Sequence, residues 1–219
     1  MSVSTDVALP GSTVQHFRVS AEANHYWPIG GGFVLYLDGQ AQYGATYGNQ
    51  TYANDTHDGL YKAGQPLDYP FWQNFYSGGV RDVRGFQDNT LGPRVCSGTD
   101  ASGKPAVPGA NGYCTGSYYQ YAQPIGGAFK VLGTSELYLP LPFLKDINTA
   151  RVSLFMDVGN AYKNYQSFNA GDLRASAGIS LHWQAPIGPL IINFATPIRS
   201  KPSDRPYEDR IQFTFGSQV

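Results

Sequence analysis

Between Ala150 and Ala161 every second residue from Val152 to Val158 is apolar: Val152, Leu154, Met156, Val158. Arg151, Ser153, Phe155 and Asp157 fill the positions between them. In a strand successive side chains point to opposite faces, so this segment has one uncharged apolar face and one face with charge in mid-strand. The pattern recurs along the chain. Phe17, Val19, Ala21 and Ala23 oppose His16, Arg18, Ser20, Glu22 and Asn24 within Thr13–Tyr26. Phe33, Leu35, Leu37, Ala41 and Tyr43 oppose Tyr36, Asp38, Gln40 and Gln42. From Ala128, Phe129, Val131, Leu137 and Leu139 oppose Lys130, Thr134, Glu136 and Tyr138. Leu173–Gln184, Leu190–Ala195 and Glu208–Gly216 follow the same rule, and Ser2–Leu9 follows it weakly.

These segments predict an all-β fold: an antiparallel transmembrane β-barrel of about eight strands. In such barrels apolar residues face lipid and polar residues face the lumen, and short turns alternate with longer loops. Gly30-Gly31-Gly32, Pro140-Leu-Pro142 and Pro186-Ile-Gly-Pro189 read as the short turns. Tyr26, Trp27, Tyr43, Tyr138, Tyr162 and Trp183 lie near strand ends, where aromatic girdles form at membrane interfaces. A soluble antiparallel sandwich also alternates. Mid-strand Arg, Glu, Asp and His on one face, with no charge on the other, favour the barrel.

Composition agrees. Charged residues make up 14% of the chain, against roughly 25% in soluble domains. Aromatics are also 14%, with 16 Tyr, and Gly numbers 26. No apolar run approaches the roughly 18 residues of a membrane helix. The formal net charge of −1 offers no basic patch for nucleic acid. Met1-Ser-Val-Ser-Thr has neither a charged start nor an apolar stretch, so no signal peptide is expected here, and the chain reads as a piece of a longer protein.

One region does not alternate. Residues 45–127 form a long insertion between the third and fourth strands of a single domain spanning 1–219. A loop of that length in a compact domain is either functional or disordered, and its many aromatics argue against disorder. Cys96 and Cys114 both lie in it. A metal site would want more ligands, and free thiols suit an oxidising compartment poorly. A disulfide is therefore favoured over two free thiols, worth about 3 kcal/mol in the chain-entropy model.

The insertion carries Phe75-Tyr-Ser-Gly-Gly79, Val83-Arg-Gly-Phe86 and Asn89-Thr-Leu-Gly-Pro93. This ordered set resembles the sixth extracellular loop of the BamA family of outer-membrane assembly factors. The likeness extends to Arg151–Gly159, Ser176–Trp183 with Pro186–Leu190, and Gln212–Gly216. It covers nearly the whole chain and corresponds to the C-terminal half of the family's barrel, without its POTRA domains. Phe213 and Phe215 fit the alternating part of the family's C-terminal targeting signal, although Val219 stands where an aromatic is usual.

The resemblance implies that the loop folds back into the barrel and that Arg84, within the motif Val83, Arg84, Gly85 and Phe86, meets lumen residues. Alternation independently supplies candidates: Glu136, Asp157 and Phe155 share polar faces. Arg can fork onto a carboxylate and stack on an aromatic ring. Arg81 is open between a second polar contact and exposure. Gly78, Gly79 and Gly85 suit positive φ or close approach. The four histidines, His16, His25, His57 and His182, are scattered; no catalytic residue, metal ligand or cofactor is expected.

The function implied is insertion and folding of barrel proteins in the outer membrane of a Gram-negative bacterium. The last strand would lie at a lateral seam. Implied partners are outer-membrane lipids, nascent barrel proteins and assembly lipoproteins. The alternatives are the pore of a related secretion transporter and a soluble β-sandwich binding module. A closed barrel of about eight strands is filled by its own side chains, so such closure and a loop seated inside exclude one another. A homodimer is the other route to covering the strand edges.

Overall fold

The computed structural model describes residues 1–54, 62–100, 102–116, 120–140, 150–185 and 188–215. Its strands are β1 (Ser2–Val7), β2 (His16–Gly30), β3 (Phe33–Thr46), β4 (Arg94–Val95), β5 (Gln123–Pro124), β6 (Phe129–Leu139), β7 (Ala150–Tyr162), β8 (Arg174–Ala185), β9 (Gly188–Arg199) and β10 (Ile211–Phe215). Eight of them form one antiparallel sheet in the order β1-β2-β3-β6-β7-β8-β9-β10, and β4 pairs with β5 in a small separate ladder.

The register converts sequence alternation into two surfaces. Trp27, Leu35, Leu137, Leu154, Ile179, Phe194 and Ile211 are successive cross-strand partners from β2 to β10. All seven are apolar. One residue along, Tyr26, Tyr36, Glu136, Phe155, Gly178 and Ala195 are partners on the other face. On β7 Leu154 and Met156 are exposed, while Ser153, Phe155 and Asp157 are buried. The protein is thus apolar outside and polar inside on this sheet. An apolar belt running across seven strands far exceeds what a monomer shows to water, and it suits lipid. Among the described residues no helix is long and apolar enough to cross a membrane.

Within the described residues β1 and β10 each pair with one neighbour. The concave face between them is occupied by the insertion. Its core cluster is Val83, Phe86 and Leu91 from the insertion packed with Leu132 from β6. Leu132 is an apolar residue on an otherwise polar face, and it provides the seat for this cluster.

Two details differ from the sequence reading. The segment read as Thr13–Tyr26 is β2, which begins at His16 and runs past Tyr26 to Gly30, with a register irregularity between Pro28 and Gly30; proline, which cannot donate to the ladder, is accommodated at such irregularities. Tyr26 and Tyr138 do not join an outer girdle. Both line the inner cavity with Tyr36, because they share the parity of Glu136 rather than of Trp27. As the aromatics of the insertion argued, it carries structure of its own: the β4–β5 ladder, isolated bridges such as Pro108 with Cys114, and the expected Cys96–Cys114 disulfide. Parts of the Pro140–Pro142 and Pro186–Pro189 turns, His57 and Val219 lie outside the described residues.

Candidate functional site

The insertion is folded before it meets the barrel wall. Phe75 bridges Gly127, and Ser77 bridges Leu91, so the stretch between them is a closed sub-loop. Asp82 organises its turn. Its Oδ1 accepts from the Ser77 hydroxyl at 2.6 Å and from the Gly78 and Val83 amides, each at 2.9 Å. Its Oδ2 pairs with Lys130 on β6. Gly85 has φ +88, and a Cβ there would stand 3.1 Å from the Ala195 methyl of β9. Glycine therefore meets two demands at once: a left-handed backbone and a close approach to the wall.

Beside that glycine sits Arg84. Its Nε donates to Asp157 Oδ2 at 2.7 Å, and Nη2 donates to Asp157 Oδ1 at 2.8 Å. This is the bidentate fork that matches guanidinium to carboxylate. Nη1 donates to Glu136 Oε2 at 3.1 Å, and the Arg84 backbone amide donates to Asp157 Oδ2 at 3.1 Å. The guanidinium carbon lies 3.5 Å from the centroid of the Phe155 ring, within cation–π range. Arg84, Glu136, Phe155 and Asp157 are all buried, with Asp157 at 0% exposure. The Phe155 ring can lie there because its β8 partner is Gly178, where a Cβ would fall 2.7 Å from the ring.

The carboxylates are themselves held. The Ser153 hydroxyl donates to Glu136 Oε1 at 2.5 Å, and His182 Nε2 lies 3.2 Å from the same oxygen. The motif also reaches the last strand. The Gly85 amide donates to Gln212 Oε1 at 3.0 Å, and Gln212 Nε2 donates to the Phe86 carbonyl at 2.6 Å. Backbone bonds from Asp209 to Gly85 and from Gln87 to Tyr207 continue the contact. Gln212 is buried, whereas Phe213 and Phe215 on either side of Thr214 are exposed on the apolar face.

A second charged cluster lies nearer the loop-bearing end. Asp204, at 0% exposure, sits in the short helical turn Pro202–Tyr207. Arg174 Nε donates to its Oδ2 at 2.6 Å, and Arg94 Nη2 donates to its Oδ1 at 2.9 Å. The Lys201 amide adds a bond at 2.8 Å. Burial opposes ionisation of Asp204, but the Arg174 hydrogen bond and charge, the Lys201 amide and the Arg94 charge outweigh it. Its carboxyl is held below the usual value. Arg94 also bonds the Thr90 carbonyl and Ser203, so this cluster ties the insertion to β8 and to the segment before β10.

Of the sequence candidates, Val83, Arg84, Gly85 and Phe86 meet Glu136, Phe155 and Asp157 in one place. Arg81 is exposed. His182 belongs to the Glu136 network. Among the described residues no group of three or more His, Cys, Asp or Glu side chains converges as a metal site. Sequence reasoning missed Asp82, Leu132, Arg94, Arg174, Asp204 and Gln212 as site residues, and placed Lys130 only as a polar-face residue. A lysine and a leucine on the same inward face were the available signals: one asks for a counter-charge, the other for an apolar partner.

Comparison with known proteins follows the same geometry. A model of the Omp85 superfamily domain matches residues 1–219. The sequence is 29% identical to the outer membrane protein assembly factor BamA of Neisseria meningitidis, across 98% of this chain and 25% of that protein. It is 23% identical to the assembly factor BamA of Nitratidesulfovibrio vulgaris across 68% of this chain and 16% of the relative. The fold superposes on the crystal structure of BamA from Haemophilus ducreyi lacking POTRA domains 1-3 with a TM-score of 0.70 and 25% identity, covering 96% of this chain and 36% of that one. The chain thus spans about a quarter of the length of the first of these relatives.

Proposed function

The chain belongs to the Omp85 superfamily, and from that membership we propose that it forms part of the barrel of an outer-membrane protein assembly factor in a Gram-negative bacterium. Its substrates are nascent barrel proteins, and assembly lipoproteins act beside it in the complete protein. The observation that carries the reading is the Arg84 clasp. A loop whose motif resembles that of the family is seated in the lumen by Asp157, Glu136 and Phe155, and the same motif touches Gln212 of the last strand. β10 is five residues long and pairs with β9 on one side. A nascent strand adds to its other side through backbone hydrogen bonds, as in β-augmentation. The seated loop supports the last strand from within while that edge is used.

The test is Arg84→Ala in the complete protein within its own membrane, with the folding rate of a newly made barrel substrate as the readout. Loss of assembly at unchanged abundance of the variant is the expected result. Full assembly by a variant whose loop is shown to be unseated would overturn the reading. A dedicated translocation activity, with conductance and no effect on barrel folding, would favour the secretion-transporter alternative.

A further inference from the structure

Resting on the reading of Arg84 as a loop clasp, we infer that Asp82 and Lys130 form a second, oppositely charged tether that sets the register of the loop against the wall. In this role Asp82 is a positioning residue for Arg84. The loop presents an anion at position 82 and a cation at position 84. The wall presents the complement: Lys130 against Asp82, and Glu136 with Asp157 against Arg84. Lys130 and Glu136 lie on the same inward face of β6, and all five side chains are buried. A two-residue slip of the loop in either direction brings like charges together, Arg84 toward Lys130 or Asp82 toward the carboxylates. Buried like charges are screened far less than exposed ones, so the crossed pattern favours one register. Fixing a register is the best-supported role of buried ionic groups.

The two oxygens of Asp82 divide the work. Oδ1 gathers the Ser77 hydroxyl and the Gly78 and Val83 amides, which shapes the turn; Oδ2 faces Lys130. One carboxylate therefore couples the shape of the loop to its seat. Val83, the residue between the two charges, packs where a Cβ on Gly159 would come within 3.0 Å of it, so the backbone has little room to rotate about Arg84 alone. Arg84 fixes the depth of one point, and Asp82 fixes a second.

The experiment separates the two tethers. Leu91, at 0% exposure in the loop, is replaced by Cys as a reporter; Cys96 and Cys114 are bonded to each other and do not react. Labelling by a membrane-impermeant thiol reagent is followed in the complete protein in intact membranes, with the heat-dependent gel shift of the barrel reporting folding. Asp82→Asn retains the Oδ1 acceptor and loses the tether; Lys130→Met removes the opposing charge at similar length. Both are expected to accelerate labelling more than about tenfold, and the double variant Asp82→Asn with Lys130→Met is expected to label no faster than the faster of the two singles. Fast labelling of Arg84→Ala with slow labelling of Asp82→Asn and Lys130→Met would overturn this inference and leave the clasp reading intact. Slow labelling of Arg84→Ala would overturn the clasp itself. Multiplied acceleration in the double variant, in a folded barrel, would show that the two residues act separately and reject the tether.

Discussion

The inner and outer clusters are built from the same two groups in opposite proportion. In the lumen one arginine, Arg84, is held by two carboxylates, Asp157 and Glu136. Toward the loops one carboxylate, Asp204, is held by two arginines, Arg94 and Arg174. Both anchor the same insertion. The inner cluster leaves an excess of negative charge deep in the wall, shared with Ser153 and His182. The outer one leaves an excess of positive charge and is as deeply buried, with the Arg94 and Arg174 side chains 6% and 5% exposed against 8% for Arg84. The difference teaches where each is vulnerable. Removing Asp157 leaves Arg84 with Glu136 as a counter-charge, whereas removing Asp204 leaves two buried arginines without a carboxylate partner among the described residues.

That contrast can be broken experimentally. Asp204→Ala should have the largest effect, since it leaves Arg94 and Arg174 buried without a carboxylate among the described residues. A loss of about 3–5 kcal/mol is expected, read as a lower thermal midpoint of the heat-shifted barrel band. Asp157→Ala should cost less, about 2 kcal/mol, because Glu136 still pairs with Arg84 and only the hydrogen bonds to Asp157 are lost. It should speed proteolysis of the insertion before it lowers the barrel midpoint. If the two variants lose stability equally, the contrast between a cluster that keeps a counter-charge and one that loses its sole carboxylate fails.

Acid should act on the outer cluster. The Asp204 carboxyl is held below its ordinary value, so its contribution is complete above about pH 3.9 and disappears as pH falls through the lower folded value. A proteolysis profile from pH 6 downward should show the insertion loosening at the acid end, and Asp204→Asn should remove that step. Asp172, whose carboxyl is held down by its hydrogen bond from Lys201, is exposed, and Asp172→Asn should leave the step in place. The smallest change sharpens the inner cluster: Phe155→Leu retains the ion pairs and removes the ring beneath Arg84, for about 1 kcal/mol. An effect as large as that of Asp157→Ala would mean that packing, and not charge, seats the loop.

The inner cluster was legible in sequence because its wall residues obey a two-residue period. Glu136 and Asp157 each fall on the polar parity of their strands, and the register places Asp157 opposite Thr134, two residues from Glu136. Arg84 entered through the motif that carries the family resemblance. The outward belt was legible for the same reason of parity. Asp204 was not, because it sits in an aperiodic turn between β9 and β10 and its partners lie 30 and 110 residues away in the chain: Arg174 on β8 and Arg94 on the insertion. Asp82 was hidden likewise, since neither face nor period is defined where it stands. Tyr26 and Tyr138 were misplaced by proximity to strand ends, although their parity pointed inward. Pro28 and Pro197 lie within β2 and β9, at or beside register irregularities that the sequence alone does not display.

Tyr43 and Phe129 are direct partners across β3 and β6, so the insertion that fills the lumen leaves and returns through neighbouring strands. Once unseated, it cannot diffuse away. It remains a tethered ligand for its own wall, at an effective concentration on the order of millimolar. Reseating is then a first-order event, indifferent to dilution of the protein. A free peptide bearing Val83–Phe86 would have to match that concentration to hold the lumen in place of the native loop.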